Sequence, residues 1–200
     1  HSTKIVGVMN FPGGDDRYYN NIFTIAPDSE LKAKDAGTSV YDERPPFYEG
    51  IYRDLNTRKT DALPKSFVEQ MAQGNSQSSR FQLAMRVGNN VYMNGVKHYA
   101  YEEGAVSTGA DAKVSLEKTA EGIVLKITAD GSINNVKTQT MGTDNLGKTY
   151  YSNGYYENPD GTPLTLDKDF FGNARNTSSP KVGPFENLKP GENTFMVWKF

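Results

Sequence analysis

A four-residue element, a small or polar pair followed by a β-branched residue and then an aromatic one, returns along this chain and restricts what it can fold into. Asn20-Asn21-Ile22-Phe23, Glu49-Gly50-Ile51-Tyr52 and Asn89-Asn90-Val91-Tyr92 match closely, and Asn153-Gly154-Tyr155-Tyr156 is a looser copy. The first two copies start 29 residues apart, the spacing of one solenoid coil plus a loop, and the third starts 40 residues further on. The excess is assigned to a polar insertion over about 54–80, read as a loop decoration. It carries the only good helical pattern, Pro64 to Gln73, with Phe67, Val68 and Met71 on one face and Pro64 as a helix starter.

Asparagine at such a turn has a physical reason. It tolerates left-handed backbone angles, and its amide bonds neighbours when like residues stack from coil to coil. The competing explanation is ordinary turn chemistry met several times by chance. From about Tyr101 the periodicity changes. Lys113–Glu117 and Ile123–Ile127 alternate as strands, and the link from Lys118 to Gly122 has hairpin length. Asn158-Pro159-Asp160-Gly161 predicts a turn, Thr162–Leu166 has strand character, and Thr194–Trp198 forms a last strand after Pro190-Gly191. The expected fold is therefore all-β. The last coils of a right-handed parallel β-helix, with the insertion, occupy 1–100, and an antiparallel, sandwich-like cap occupies 101–200 and covers the open end of the stack.

Bulk properties narrow the function. With 22 basic and 24 acidic residues the net charge is -2, so no basic stripe for nucleic acid is expected. There is no cysteine, and 200 residues suffice to bury a core without disulfides. No apolar run approaches the roughly 20 residues of a membrane span. The start, His1-Ser2-Thr3-Lys4 running straight into Ile5-Val6-Gly7-Val8, is read as trimmed from something longer. Two histidines, no cysteine and scattered carboxylates give no transition-metal constellation, so no cofactor is expected. Structural calcium around Asp28 to Asp35 or at Asp144 is left open, without a twelve-residue calcium loop to favour it.

The segment Asn10-Phe11-Pro12-Gly13-Gly14-Asp15-Asp16-Arg17-Tyr18-Tyr19-Asn20-Asn21-Ile22-Phe23, preceded by His1-Ser2-Thr3, resembles the late coils of bacterial right-handed parallel β-helix glycoside hydrolases, the β-xylosidase-like group. Phe47-Tyr48-Glu49-Gly50-Ile51-Tyr52 looks like the next coil of such proteins. Asp169-Phe170-Phe171-Gly172 with Gly183-Pro184-Phe185-Glu186 is similar to their closing segment. About half of the chain is covered, and the stretch from Gly104 to Thr149 carries no matching motif.

The resemblance implies retaining hydrolysis of a glycosidic bond in an exported bacterial protein, periplasmic, surface-bound or secreted. Such chemistry needs two carboxyl groups: one attacks or stabilises the anomeric carbon, and the other protonates the leaving oxygen. The early coils offer Asp15, Asp16, Asp42, Glu43 and Glu49. Gly13-Gly14 lets the chain turn sharply and present Asp15 or Asp16, either of which is the expected nucleophile, with Glu43 as acid/base. Adjacent coils stack at about 4.8 Å, close to the roughly 5–5.5 Å carboxyl separation of retaining enzymes. His1, Arg17, Tyr18 and Glu49 are the expected substrate contacts, and Tyr18, Tyr19, Tyr48, Tyr52 and Trp198 could stack on sugar rings.

Each residue also has a plainer reading. Acids beside glycine commonly form a solvated turn. Arg17 could make only a surface ion pair with Asp15 or Glu43. His98, within the Tyr-rich stretch from Tyr92 to Tyr101, reads as a strand residue rather than a ligand. The expected partners are carbohydrate and upstream coils of the same parent protein, with self-association through the open coil face. A non-catalytic carbohydrate-binding domain and a purely structural cap are the alternative functions.

Overall fold

A computed structural model describes residues 16–26, 28–42, 85–109, 112–149 and 154–200. The chain divides into two compact units, His1–Asp16 with Glu43–Arg86, and Arg17–Asp42 with Val87–Phe200. Of the first, only Asp16, Met85 and Arg86 are described, and the Asp16 carbonyl there accepts from the Arg86 amide at 3.0 Å. The copy at Glu49–Tyr52, the insertion at 54–80 and the helical pattern from Pro64 to Gln73 lie outside the described residues.

The second unit is predominantly β. Short strands β1 (Arg17–Tyr19), β2 (Ile22–Phe23), β3 (Arg86–Gly88, of which Val87 and Gly88 belong to this unit), β4 (Val91–Tyr92) and β5 (Val106–Ser107) build its first part. Strands β2, β4 and β5 are parallel, with Ile22, Val91 and Val106 at one level and Phe23, Tyr92 and Ser107 at the next. Two of the recurring elements thus lie one on the other, residue for residue. The third tier, Glu103-Gly104-Ala105-Val106-Ser107, lacks the motif, although Gly88 and Glu103 already bridge in parallel.

Two positions before each of these valines or isoleucine stands a residue in the left-handed region: Asn20 at φ 58°, Asn89 at 57° and Gly104 at 71°. The turn between strands therefore repeats from tier to tier, and only asparagine or glycine meets it cheaply. At Gly104 an added Cβ would also lie 2.3 Å from Asn89 Oδ1, so the Asn89 side chain would have to shift. Of the looser copy at Asn153–Tyr156, the described residues 154–156 are not paired with these strands. Its Tyr155 makes an antiparallel bridge with Lys148 instead.

Strands β6 (Val114–Lys118), β7 (Gly122–Ala129) and β8 (Gly191–Lys199) form an antiparallel sheet in that order. The hairpin turns where the sequence places it, with Thr119 N bonding Gly122 O at 2.8 Å. Alternation sets the register: Val114, Ile127 and Asn193 share one level, and Leu116, Leu125 and Phe195 share another. The sheet's inner residues Ile127, Ala129 and Phe195 enter one core with Val91 and Met93 of the tiers, and Ile22, Val106 and Val114 pack against it. Leu116 in the middle of β6, and Trp198 and Phe200 at and beyond the end of β8, are 68%, 66% and 68% exposed. A one-turn helix α1 (Thr143–Leu146) and short 3-10 turns at Ala33–Asp35, Thr38–Tyr41 and Gly131–Asn134 make up the described helical content. Among the described residues, no helix is long and apolar enough to cross a membrane.

The stretch after the sheet hairpin is held by turns and isolated bridges rather than by strands. Asn158–Gly161 forms the expected turn, with Gly161 N on Asn158 O at 2.8 Å. Over Thr162–Leu166, only Pro163 and Thr165 make single bridges, to Glu157 and Gly142. The two halves of the resembling closing segment come together. Phe170 N bonds Pro184 O at 2.8 Å, and Phe171, Phe185 and Phe195 stack in sequence at 5.3 and 3.9 Å.

Candidate functional site

Inside the parallel tiers the short strands supply few backbone bonds, and polar side chains complete the joint. Asn90 is fully buried. Its Oδ1 accepts from the Asn21 amide at 2.7 Å and from Asn21 Nδ2 at 3.1 Å, while its Nδ2 donates to the Tyr18 carbonyl at 2.8 Å. By register Asn21 and Asn90 are followed by Ala105, which has no amide to continue the series. Glu102 takes that place: its Oε1 accepts from Asn90 N at 3.1 Å and from Asn90 Nδ2 at 2.8 Å.

The other oxygen, Glu102 Oε2, accepts from the Tyr92 hydroxyl at 2.5 Å. Because that phenol has one proton, the Thr38 hydroxyl, 2.7 Å away, is the donor to it, and Thr38 in turn accepts from Tyr99 N at 2.8 Å. Burial first, and then the bond to Glu102, push the Tyr92 phenol far above its ordinary value. Tyr92 is thus a fixed donor and cannot serve as a base near neutral pH. Phe23 stacks on its ring at 5.1 Å, and Tyr18 contacts Phe23 and stacks on Tyr41 at 6.1 Å. This network orients strand β1, which directly follows Asp15 and Asp16 in the sequence. Its role is to position, since both oxygens of Glu102 are already engaged.

Of the residues expected from the sequence, His1, Asp15, Glu43 and Glu49 lie outside the described residues. Asp16 is described within the first unit. The structure brings Arg17 and Tyr18 into the second unit, where both are half-buried. Arg17 Nε donates to Leu146 O at 2.9 Å and a terminal nitrogen to Lys148 O at 2.7 Å, and the guanidinium lies 4.8 Å from the Tyr156 ring centre. The side chain therefore ties the α1 region to the tiers. Asp42 is exposed and accepts from Ala100 N at 2.8 Å. His98 places Nδ1 2.8 Å from Tyr99 O and tilts against Tyr92, a packing role. Around Asp28 to Asp35 and Asp144, no group of three or more potential metal ligands is gathered among the described residues.

Beside the turn of β1 and β2 opens a cleft of about 480 Å³ that no sequence motif marks. Ile22, Met141, Leu166 and Pro184 supply its apolar walls, and Asn20, Lys168 and Arg175 its polar groups. Asn20 Nδ2 donates to Gln139 O at 2.7 Å, while its buried Oδ1 has no partner among the described residues. Arg175 is committed to the carbonyls of Lys168, Lys181 and Gly183 at 3.1, 2.8 and 2.7 Å, with Glu186 3.6 Å away. Glu102, Lys168 and Arg175 were not singled out from sequence. Only the tier register, or contacts between distant segments, reveals them.

No protein-family model and no curated protein matches the sequence. Among solved structures the chain is similar to XylC, determined as a complex with xylose, with a TM-score of 0.72 and 26% sequence identity. The similarity covers 93% of this chain and 26% of XylC, so the chain spans about a quarter of that protein's length. The comparison establishes a distant relationship to a xylose-binding protein, carried over nearly the whole of this chain.

Proposed function

We propose that the chain forms terminal coils and cap of a right-handed parallel β-helix glycoside hydrolase that acts on xylose-containing carbohydrate with retention of configuration. The observation that carries this reading is the similarity to XylC over 93% of the chain. The in-register parallel tiers of Ile22, Val91 and Val106 support the architecture, because such stacking is how a β-helix grows. In this reading Asp15 or Asp16 attacks the anomeric carbon and Glu43 protonates the leaving oxygen, then activates water. Arg17 and Tyr18 are the substrate contacts supplied by the strand that the Asn90 and Glu102 network holds in place.

The test is separate substitution of Asp15→Asn, Asp16→Asn and Glu43→Gln in the longer protein, with hydrolysis of an aryl β-xyloside as readout. The nucleophile and acid/base variants are expected to lose turnover by about 10²–10⁴-fold. Wild-type turnover in all three would end this reading. One observation favours a second, non-catalytic role in holding polysaccharide: Trp198, 66% exposed, stands on a sheet face where an aromatic ring can stack on a sugar. Retained binding to insoluble xylan by the acid variants, lost in Trp198→Ala, would support that role.

A further inference from the structure

The cleft beside Asn20 differs from the tiers in charge. Its described lining includes Lys168 and Arg175 and no aspartate or glutamate. Arg175 is occupied by three carbonyls and faces Glu186, which itself accepts from Asn176 N at 3.1 Å and from Lys181 N at 3.0 Å. The Lys168 ammonium is different: among the described residues it has no ion pair or hydrogen bond, although its own carbonyl is used by Arg175. The cleft thus joins an apolar wall to one uncommitted cation, and about 480 Å³ lies within the roughly 300–1,000 Å³ range of small-molecule sites.

The floor is also built to hold its shape. Gly183, at φ 79°, donates its amide to Asn20 O at 2.7 Å, and a Cβ there would come 2.8 Å from Ile22 Cδ1. The guanidinium of Arg175 fastens the same loop through Lys181 and Gly183. A pre-formed wall of this kind lowers the ordering cost of binding a small ligand.

We infer that this cleft binds a carboxylate-bearing monosaccharide, a uronic acid unit, with Lys168 pairing to the carboxylate while Ile22, Met141 and Leu166 cover the ring's C–H face. The sugar part of this inference rests on the carbohydrate reading above, and the preference for negative charge rests on the cleft alone. The probe is methyl glucuronoside, titrated into the whole chain and followed by calorimetry and by backbone amide shifts. Saturable binding that moves the Asn20, Asn21 and Gly183 amides is expected, with methyl xyloside and acetate each binding at least about threefold more weakly. Lys168→Met should abolish the preference over methyl xyloside, and Lys168→Arg should keep it. Equal binding of methyl xyloside, equal binding of acetate, shifts confined elsewhere or no saturation would each overturn the inference. Since the readout is binding without turnover, failure here is distinct from failure of the hydrolase reading.

Discussion

The parallel tiers and the antiparallel sheet share one core yet are specified by different means. In the tiers the strands are two or three residues long, and register is fixed by polar side chains: Asn21, Asn90 and Glu102 form the joint, and Asn20, Asn89 and Gly104 set the turn. In the sheet the strands reach eight and nine residues, and apolar alternation fixes which face turns inward. A short strand has too few backbone bonds to choose its own register, so that choice passes to buried amides, where an error leaves groups unpaired. A long one chooses by burial, which tolerates more change in any single residue.

The largest effects should separate these two regimes. Phe185→Ala removes the middle ring of a buried stack and is expected to cost about 3–5 kcal/mol. Asn90→Ala removes far less apolar surface but strands the Asn21 amide and the Tyr18 carbonyl and leaves Glu102 Oε1 with only the backbone bond from position 90, and is expected to cost about 3 kcal/mol. Urea unfolding of both variants checks this, and a cost below about 1 kcal/mol for Asn90→Ala would remove the distinction between tiers and sheet.

A glycine pair sharpens it at smaller scale. Gly104 and Gly191 both have positive φ, 71° and 92°, but an added Cβ meets Asn89 at the first and nothing within 4 Å at the second. Gly104→Ala should therefore cost about 2 kcal/mol and Gly191→Ala about half of that, read from the same denaturation curves.

Acid should act on the closing segment through Asp169. Burial works to raise the Asp169 carboxyl, but bonds from Asn173, and from the Glu186 and Phe171 amides, outweigh it and hold the group below its ordinary value. The folded state then favours the charged form. The resulting stability is complete above the unfolded value, near 3.9, and is lost as pH falls through the folded one. Measured from about pH 5 down to pH 2, the urea midpoint should drop less steeply in Asp169→Asn than in the parent chain. Equal slopes would show that the carboxylate does not contribute.

The regions also differ in how far they could be read in advance. The hairpin and last strand were legible because Val114, Ile123, Leu125 and Ile127 follow a local two-residue rhythm. Asn20–Phe23 and Asn89–Tyr92 were legible as equivalents because each copy carries the whole motif. The third tier was not. Glycine satisfies its turn as well as asparagine does, and Ser107 at the end of the stack has no further ring to meet, so the residue pattern dissolves while the geometry persists. Arg17 shows the other limit: its carbonyl partners at Leu146 and Lys148 lie well over a hundred positions away, and no local spacing encodes that grip. The cleft is hidden for the same reason, its walls coming from segments far apart in sequence.

Glu102 has one more consequence. An amide can both give and receive, so a column of asparagines invites yet another strand to join it. A carboxylate that already accepts three hydrogen bonds has no N–H or O–H of its own to offer a newcomer. The rung at Glu102 is thereby finished chemically, a built-in guard against open-ended addition of strands.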